Sequence, residues 1–194
     1  MRSEYKMMAR KKFKKFKEQI DKEFLDMTPD EKIDQLPNYW KNINYGELDM
    51  VGRMRIGILT TLFIEAFIKR YGKVDNFDDL LFRFGINPHW EFILLSAKNI
   101  EINRIGSVGN LFCAVAENIK INLIESCSRY NFWGSKDCSV NYLSHALRDF
   151  AEFSENFRFN TINKLEEYGF AFSKMLKECI CKRLMNNLAL EVKN

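Results

Sequence analysis

The chain has 194 residues and a formal charge of +4, with 46% hydrophobic and 29% charged residues, which suits one domain with a substantial core and excludes wholesale disorder. Three prolines and nine glycines are too few for the many turns of an all-β sandwich of this length. Five cysteines at irregular spacing, behind a charged rather than apolar first segment, are expected to be free thiols in a cytoplasmic, reducing compartment.

Residues 1–27 read as a basic amphipathic helix. Ser3 is the expected cap, and Phe13, Phe16, Ile20 and Phe24 recur three and four apart on one face. Residues 1–17 hold eight basic side chains and one acid, so an arm of +7 precedes a body of −3. Arg10, Lys11, Lys12, Lys14, Lys15 and Lys17 surround Phe13 and Phe16. Such a face has three candidate destinations. It docks on the chain's own core with lysine stems spread over it, it neutralises RNA or DNA phosphates without reading sequence, or it meets an acidic protein or membrane surface.

Residues 28–194 are expected to form a helical bundle. Thr28-Pro29-Asp30-Glu31 offers a capping box with proline at the first helical position, and Pro37 ends that helix early. A long helix is predicted from about Glu47 to Tyr71, with Val51, Met54, Ile58, Leu62, Ala66 and Phe67 as its stripe and Gly72 as its stop. The most apolar run, Ile56 to Ile68, contains Glu65 and falls short of the roughly 20 residues a spanning helix needs, so no transmembrane segment is expected. Asn76 opens a short helix that Gly85 closes, and Asn87-Pro88 starts another.

Further on, Ser107 is the expected cap of a buried central helix carrying Val108, Leu111, Phe112, Val115, Ile119 and Leu123. Cys127 to Gly134 reads as a loop, Ser135 starts a further helix, and a last one runs from Thr161 to Leu190. Ile100 to Arg104 and Ile119 to Ile124 alternate as strands do, but the second lies inside a stronger helical pattern. No internal repeat is evident. The expected fold is therefore all-α, a single-domain bundle of about seven or eight helices around the central one.

Chemistry is sparse in the sequence. It holds no phosphate loop and no zinc spacing, and no cofactor or metal is expected. His89 and His145 are the two histidines; His145 and Asp149 fit a surface i,i+4 pair on a helix. Arg83 and His89, with five residues between them, resemble the Arg-x(4–6)-His motif of HEPN-type ribonucleases, an all-α family. That resemblance implies RNA cleavage by Arg83 and His89, commonly across a dimer.

Large aromatics fall where helices should end, among them Tyr130, Phe132 and Trp133. They serve either as plugs of the bundle ends or as interface anchors. The expected function is a non-enzymatic binding or regulatory protein: an inhibitor, an adaptor or a small subunit of a larger assembly. It would act through a protein partner, with the arm supplying general attraction and the Tyr130-Phe132-Trp133 loop specific contact. The alternatives are an HEPN-like ribonuclease using Arg83 and His89, and a non-sequence-specific RNA- or DNA-binding protein. The aromatic junction around Phe150 and Phe157 adds a homodimer as a further expectation.

Overall fold

Offset by 19 residues, four stretches of the chain align: Asn99-Ile100-Glu101-Ile102-Asn103, Asn118-Ile119-Lys120-Ile121-Asn122, Asp137-Cys138-Ser139-Val140-Asn141 and Asn156-Phe157-Arg158-Phe159-Asn160. Each alternates apolar and polar residues, and the apolar ones are mostly β-branched or aromatic, as a half-buried strand requires. In the computed structural model, which describes residues 2–146, 150–151 and 154–165, these stretches stack as successive coils of a parallel β-solenoid-like unit.

The strands are β1 (Val74–Asn76), β2 (Lys98–Val108), β3 (Glu117–Cys127), β4 (Ser139–Ala146) and β5 (Arg158–Leu165), paired in parallel in chain order. Register follows the repeat, with Ile102 beside Ile121, Ile121 beside Val140 and Val140 beside Phe159. Within β2 the buried residues are Ile100, Ile102, Ile105 and Val108. Two consecutive residues, Asn103 and Arg104, face outward, so the strand turns a corner there to keep its apolar side inward.

Between strands the chain uses an alternating backbone. Phe92, Leu94 and Ser96 have positive φ, as do Leu111, Cys113 and Val115 one coil later. Such values cost a non-glycine residue on the order of 1 kcal/mol each, and hydrogen bonds between coils offset them. The N–H groups at positive φ donate to neighbouring coils, as Cys113 does to the Ile93 carbonyl and Val115 to that of Trp133 (3.0 and 2.8 Å). The intervening N–H groups close local turns, as Ala114 does on Leu111 and Ala116 on Cys113. Every side chain from Phe112 to Ala116 is buried in the process.

Helices close the first coil. They are α1 (Arg2–Glu23), α2 (Pro29–Gln35), α3 (Met50–Tyr71) and α4 (Phe77–Arg83), with short 3-10 turns at Leu36–Tyr39 and Tyr45–Glu47. The Thr28 capping box forms as its sequence implies, with Glu31 N–H donating to Thr28 Oγ1 and Thr28 N–H to Glu31 Oε2. Asp49 caps α3, and Gly72 ends it at φ 90°. α3 lies against the residue 91–92 backbone at Gly57, where a Cβ would stand 2.8 Å from the Glu91 carbonyl oxygen. Gly109 is more tightly constrained: a Cβ there would collide with the His89 carbonyl oxygen. Ile20 of α1 and Phe24, just past its end, share one apolar core with α3 and the solenoid interior.

The expected all-α helical bundle of seven or eight helices is thus overturned by four helices and a five-stranded parallel sheet among the described residues. The predicted long helix and the two short capped helices are present as α3, α2 and α4. The Asn87-Pro88 segment forms turns instead. The predicted central helix is the end of β2, a turn segment and β3; the Ser135 helix is β4; and the start of the last predicted helix is β5, while 166–190 lies outside the described residues. Leu111 to Val115 imitate a helix buried on all sides because the alternating backbone also buries consecutive residues. The expectation of no internal repeat is corrected with it. The 19-residue pattern holds largely in polarity from coil to coil; close identity is concentrated between β2 and β3, at Ile100/Ile119, Ile102/Ile121, Ile105/Ile124 and Ser107/Ser126, and in the asparagines.

The interior is held by aromatic edge contacts. Phe77 meets Phe112 at 5.9 Å, Phe112 meets Phe132 at 5.9 Å, and Phe132 meets Phe157 at 5.0 Å. Phe132→Ala should therefore lower unfolding free energy by about 3–5 kcal/mol, whereas Tyr130→Ala, on exposed surface, should change it by less than about 0.5 kcal/mol. Urea denaturation of the two variants beside the wild type checks the difference.

Candidate binding site

A parallel stack in constant register places equivalent outward residues in columns, one residue per coil, at a spacing of about 4.8 Å. Two columns flank a trough of about 430 Å³ on the solenoid surface. One wall is Asn103, Asn122, Asn141 and Asn160; the other is Glu101, Lys120, Ser139 and Arg158. Lys73, just before β1, stands at the first-coil end. The asparagines form a ladder in which Asn122 Nδ2 donates to Asn103 Oδ1 (3.1 Å), Asn141 to Asn122 (2.9 Å) and Asn160 to Asn141 (2.5 Å). A second ladder at the strand entrances joins Asn118 to Asn99 and Asn156 to Asp137. There Asn99, Asn118, Asp137 and Asn156 all have positive φ, which Asn and Asp tolerate best among residues with a side chain.

The trough is electrostatically uneven. On the adjacent columns, Glu117 pairs with Lys98 (3.2 Å) and with Lys14, and Arg104 pairs with Glu125 (2.7 Å). Those two lysines hold the Glu117 carboxyl below the usual carboxylate range, the Lys14 hydrogen bond most of all. Lys120 and Arg158 make no ion pair among the described residues. The wall therefore offers two uncommitted cations, two coils apart, with Ser139 between them and Glu101 on the coil before.

The basic arm is partly consumed by packing. Phe13 of α1 meets Phe92 at 6.4 Å and the edge of Trp133 at 6.2 Å. Lys14 reaches Glu117, and Lys17, buried, reaches Asp21 (3.0 Å) and Glu65 of α3 (3.2 Å). Burial pushes the Glu65 carboxyl up, against the lowering influence of Lys17. Lys11, Lys12 and Lys15 remain on or near the surface, and the Arg10 side chain lies outside the described residues. α1 is therefore positioned by its phenylalanine face and by lysines that the sequence pattern could equally have assigned to solvent.

Arg83 and His89 face different partners. The Arg83 guanidinium lies over the Phe84 ring at 5.8 Å, while His89 Nε2 stands 3.4 Å from Ser107 Oγ. His89 borders a smaller polar pocket with Tyr45, Arg53, Glu91, Asn110 and Ser128. That pocket is a joint between the helices and the first coil. Glu91 N–H donates to Tyr45 Oη (2.9 Å), Tyr45 stacks on Trp90 at 4.9 Å, and Arg53 reaches Glu91 (3.6 Å) and the Leu48 carbonyl (3.0 Å). Burial pushes the Tyr45 phenol up to about 12.

Of the aromatic loop, Tyr130 is exposed, Phe132 lies wholly inside the solenoid, and Trp133 is half-buried against Phe13. Cys113, Cys127 and Cys138 are buried in the interior, where burial raises their thiols, Cys127 to about 12, and they pack as small apolar groups. Among the described residues, no three His, Cys, Asp or Glu converge as a metal site, and no helix is long and apolar enough to cross a membrane.

Lys73, Lys120, Arg158 and the asparagine column are absent from the residues that sequence reasoning singles out. The Asn at every nineteenth position is the available signal, and it becomes visible only once the repeat is found. Comparison with family models, curated proteins and solved structures returns no match.

The Lys17–Glu65 pair yields a linked test. Lys17→Met leaves the Glu65 carboxylate without its main partner and should cost about 2 kcal/mol; adding Glu65→Met should restore most of that. The folded-state value of Glu65 lies above its unfolded one, so its ionisation removes stability as pH rises through the folded value. Losing Lys17 raises that value further. The single variant's deficit should therefore be larger near about pH 8 than near about pH 5, as urea titrations at the two pH values will read.

Proposed function

We propose that this protein is a non-enzymatic binding protein whose binding surface is the trough of the solenoid. The observation that carries this reading is the pairing of an asparagine ladder with Lys120 and Arg158, cations without an ion pair among the described residues, along one stack of coils. A row of amides gives many weak, directional contacts. The cations give net attraction to an extended anionic ligand, and the relative rigidity of a hydrogen-bonded stack limits the entropy lost on binding. Nothing in the trough needs to move or exchange a proton for this task.

The arm contributes a second, less specific source of attraction. Lys11, Lys12 and Lys15 supply long-range pull on a polyanion, and this supports the expectation of an acidic partner. Contact through trough and arm together favours a regulatory or adaptor role over turnover.

Heparin chromatography of the full chain separates the two contributions. Lys120→Gln with Arg158→Gln should elute at clearly lower salt than the wild type, and Lys11→Gln with Lys12→Gln and Lys15→Gln should also shift, since both changes remove cations. Elution of the Lys120/Arg158 variant at the wild-type position, with unaltered circular dichroism, would remove the trough from consideration.

A further inference from the structure

The trough's hydrogen-bonding capacity narrows the class of ligand beyond its charge, a refinement that rests on the binding role proposed above. Each asparagine amide has two N–H donors and two acceptor positions. The ladder uses one donor of Asn122, Asn141 and Asn160 and one acceptor position of Asn103, Asn122 and Asn141. Each coil thus keeps donor and acceptor capacity at the trough wall, repeated once per coil at about 4.8 Å. A hydroxyl-rich ligand, whose groups both donate and accept, fits such a row.

The period discriminates among extended polymers. A peptide strand laid along the stack advances about 3.3 Å per residue, with like-facing side chains every second residue, and falls out of step with a spacing of about 4.8 Å. A single-stranded nucleic acid is gripped largely by stacking its bases on aromatic faces, and the trough lining offers one aromatic ring, the half-buried Phe159. A sugar unit in an extended glycan advances by about one coil and presents hydroxyls at each step.

The charged wall then selects a pattern. From the first coil onward it reads Glu101, Lys120, Ser139, Arg158. The second and fourth coils attract an anion, the third is neutral, and the first repels one. We propose that the trough binds a linear acidic glycan in which uronate and neutral sugars alternate, with its carboxylates at Lys120 and Arg158, about 10 Å apart, and its neutral sugars at Glu101 and Ser139. Glu101 accepts hydroxyl hydrogen bonds from a neutral sugar and disfavours a polymer charged at every unit. Lys73, one residue before β1 and so beside Glu101 at the end of the column, is drawn toward Asp75 (3.4 Å).

Isothermal titration of the full chain with an alternating glucuronate–N-acetylglucosamine octasaccharide tests this, beside an octagalacturonate, an oligouridylate and an oligoglutamate. The alternating glycan should bind best, and Lys120→Gln with Arg158→Gln should weaken it by roughly tenfold or more. Asn122→Leu with Asn141→Leu should weaken it severalfold with the charges intact. Glu101→Gln should narrow the gap between the octagalacturonate and the alternating glycan. Circular dichroism confirms that each variant is folded. If oligouridylate or oligoglutamate binds better than either glycan and loses affinity in the Lys120/Arg158 variant, the glycan assignment falls while the trough remains a binding surface. If no probe responds to that variant, both readings fall.

Discussion

Constant register between coils is the constraint on which the rest of this molecule depends. From β2 to β5 each strand residue must lie beside the residue nineteen positions away, because the backbone N–H and C=O groups of one coil find their partners on the next. An insertion within a coil would move apolar residues outward and asparagines inward, since adjacent strand positions face opposite sides. The interior phenylalanines and isoleucines supply the apolar driving force, but the register decides which of them meet.

The alternating backbone between strands follows from the same constraint. A coil this short has to turn through its closing segment while still hydrogen-bonding to both neighbours. The positive-φ residues at 92, 94 and 96 and their equivalents at 111, 113 and 115 aim successive N–H groups alternately along the stack and back into the local turn. Their conformational cost is tolerable because leaving buried backbone groups unpaired would cost more. The small side chains of Ala97, Ala114, Ala116 and Ser135 suit the tight interior this leaves.

Stacking also converts single residues into linear arrays, and the molecule handles those arrays differently from place to place. At the strand entrances, charges alternate down the column and reach across to α1, so Lys98, Glu117 and Lys14 neutralise one another. Across the trough, Lys120 and Arg158 have no such ion-pair partner among the described residues. The helical cap meets the first coil through α4, where Asp78 accepts a hydrogen bond from the Gly106 N–H at 2.5 Å, and through the Tyr45–Trp90–Glu91 joint. It covers the end of the stack while leaving the asparagine column open.

Local signals in the sequence determined the helices that it announced. Thr28-Pro29-Asp30-Glu31, Asp49 with Gly72, and Asn76 each satisfy backbone groups within a few residues, so their effect is independent of what packs nearby. The short alternations at Ile100–Arg104 and Ile119–Ile124 were likewise visible, and they are strands. What only the tertiary structure decided was the competition between helix and coil from residue 107 onward. There, Phe112, Cys113, Ala114 and Val115 are compatible with a buried helix by composition, and it is the neighbouring coils, supplying hydrogen-bond partners and apolar walls on both sides, that select the alternating backbone. The trough belongs to the same category. Asn103, Asn122, Asn141 and Asn160 are isolated polar residues along the chain, and they become one surface because parallel pairing at a fixed register brings distant equivalents side by side.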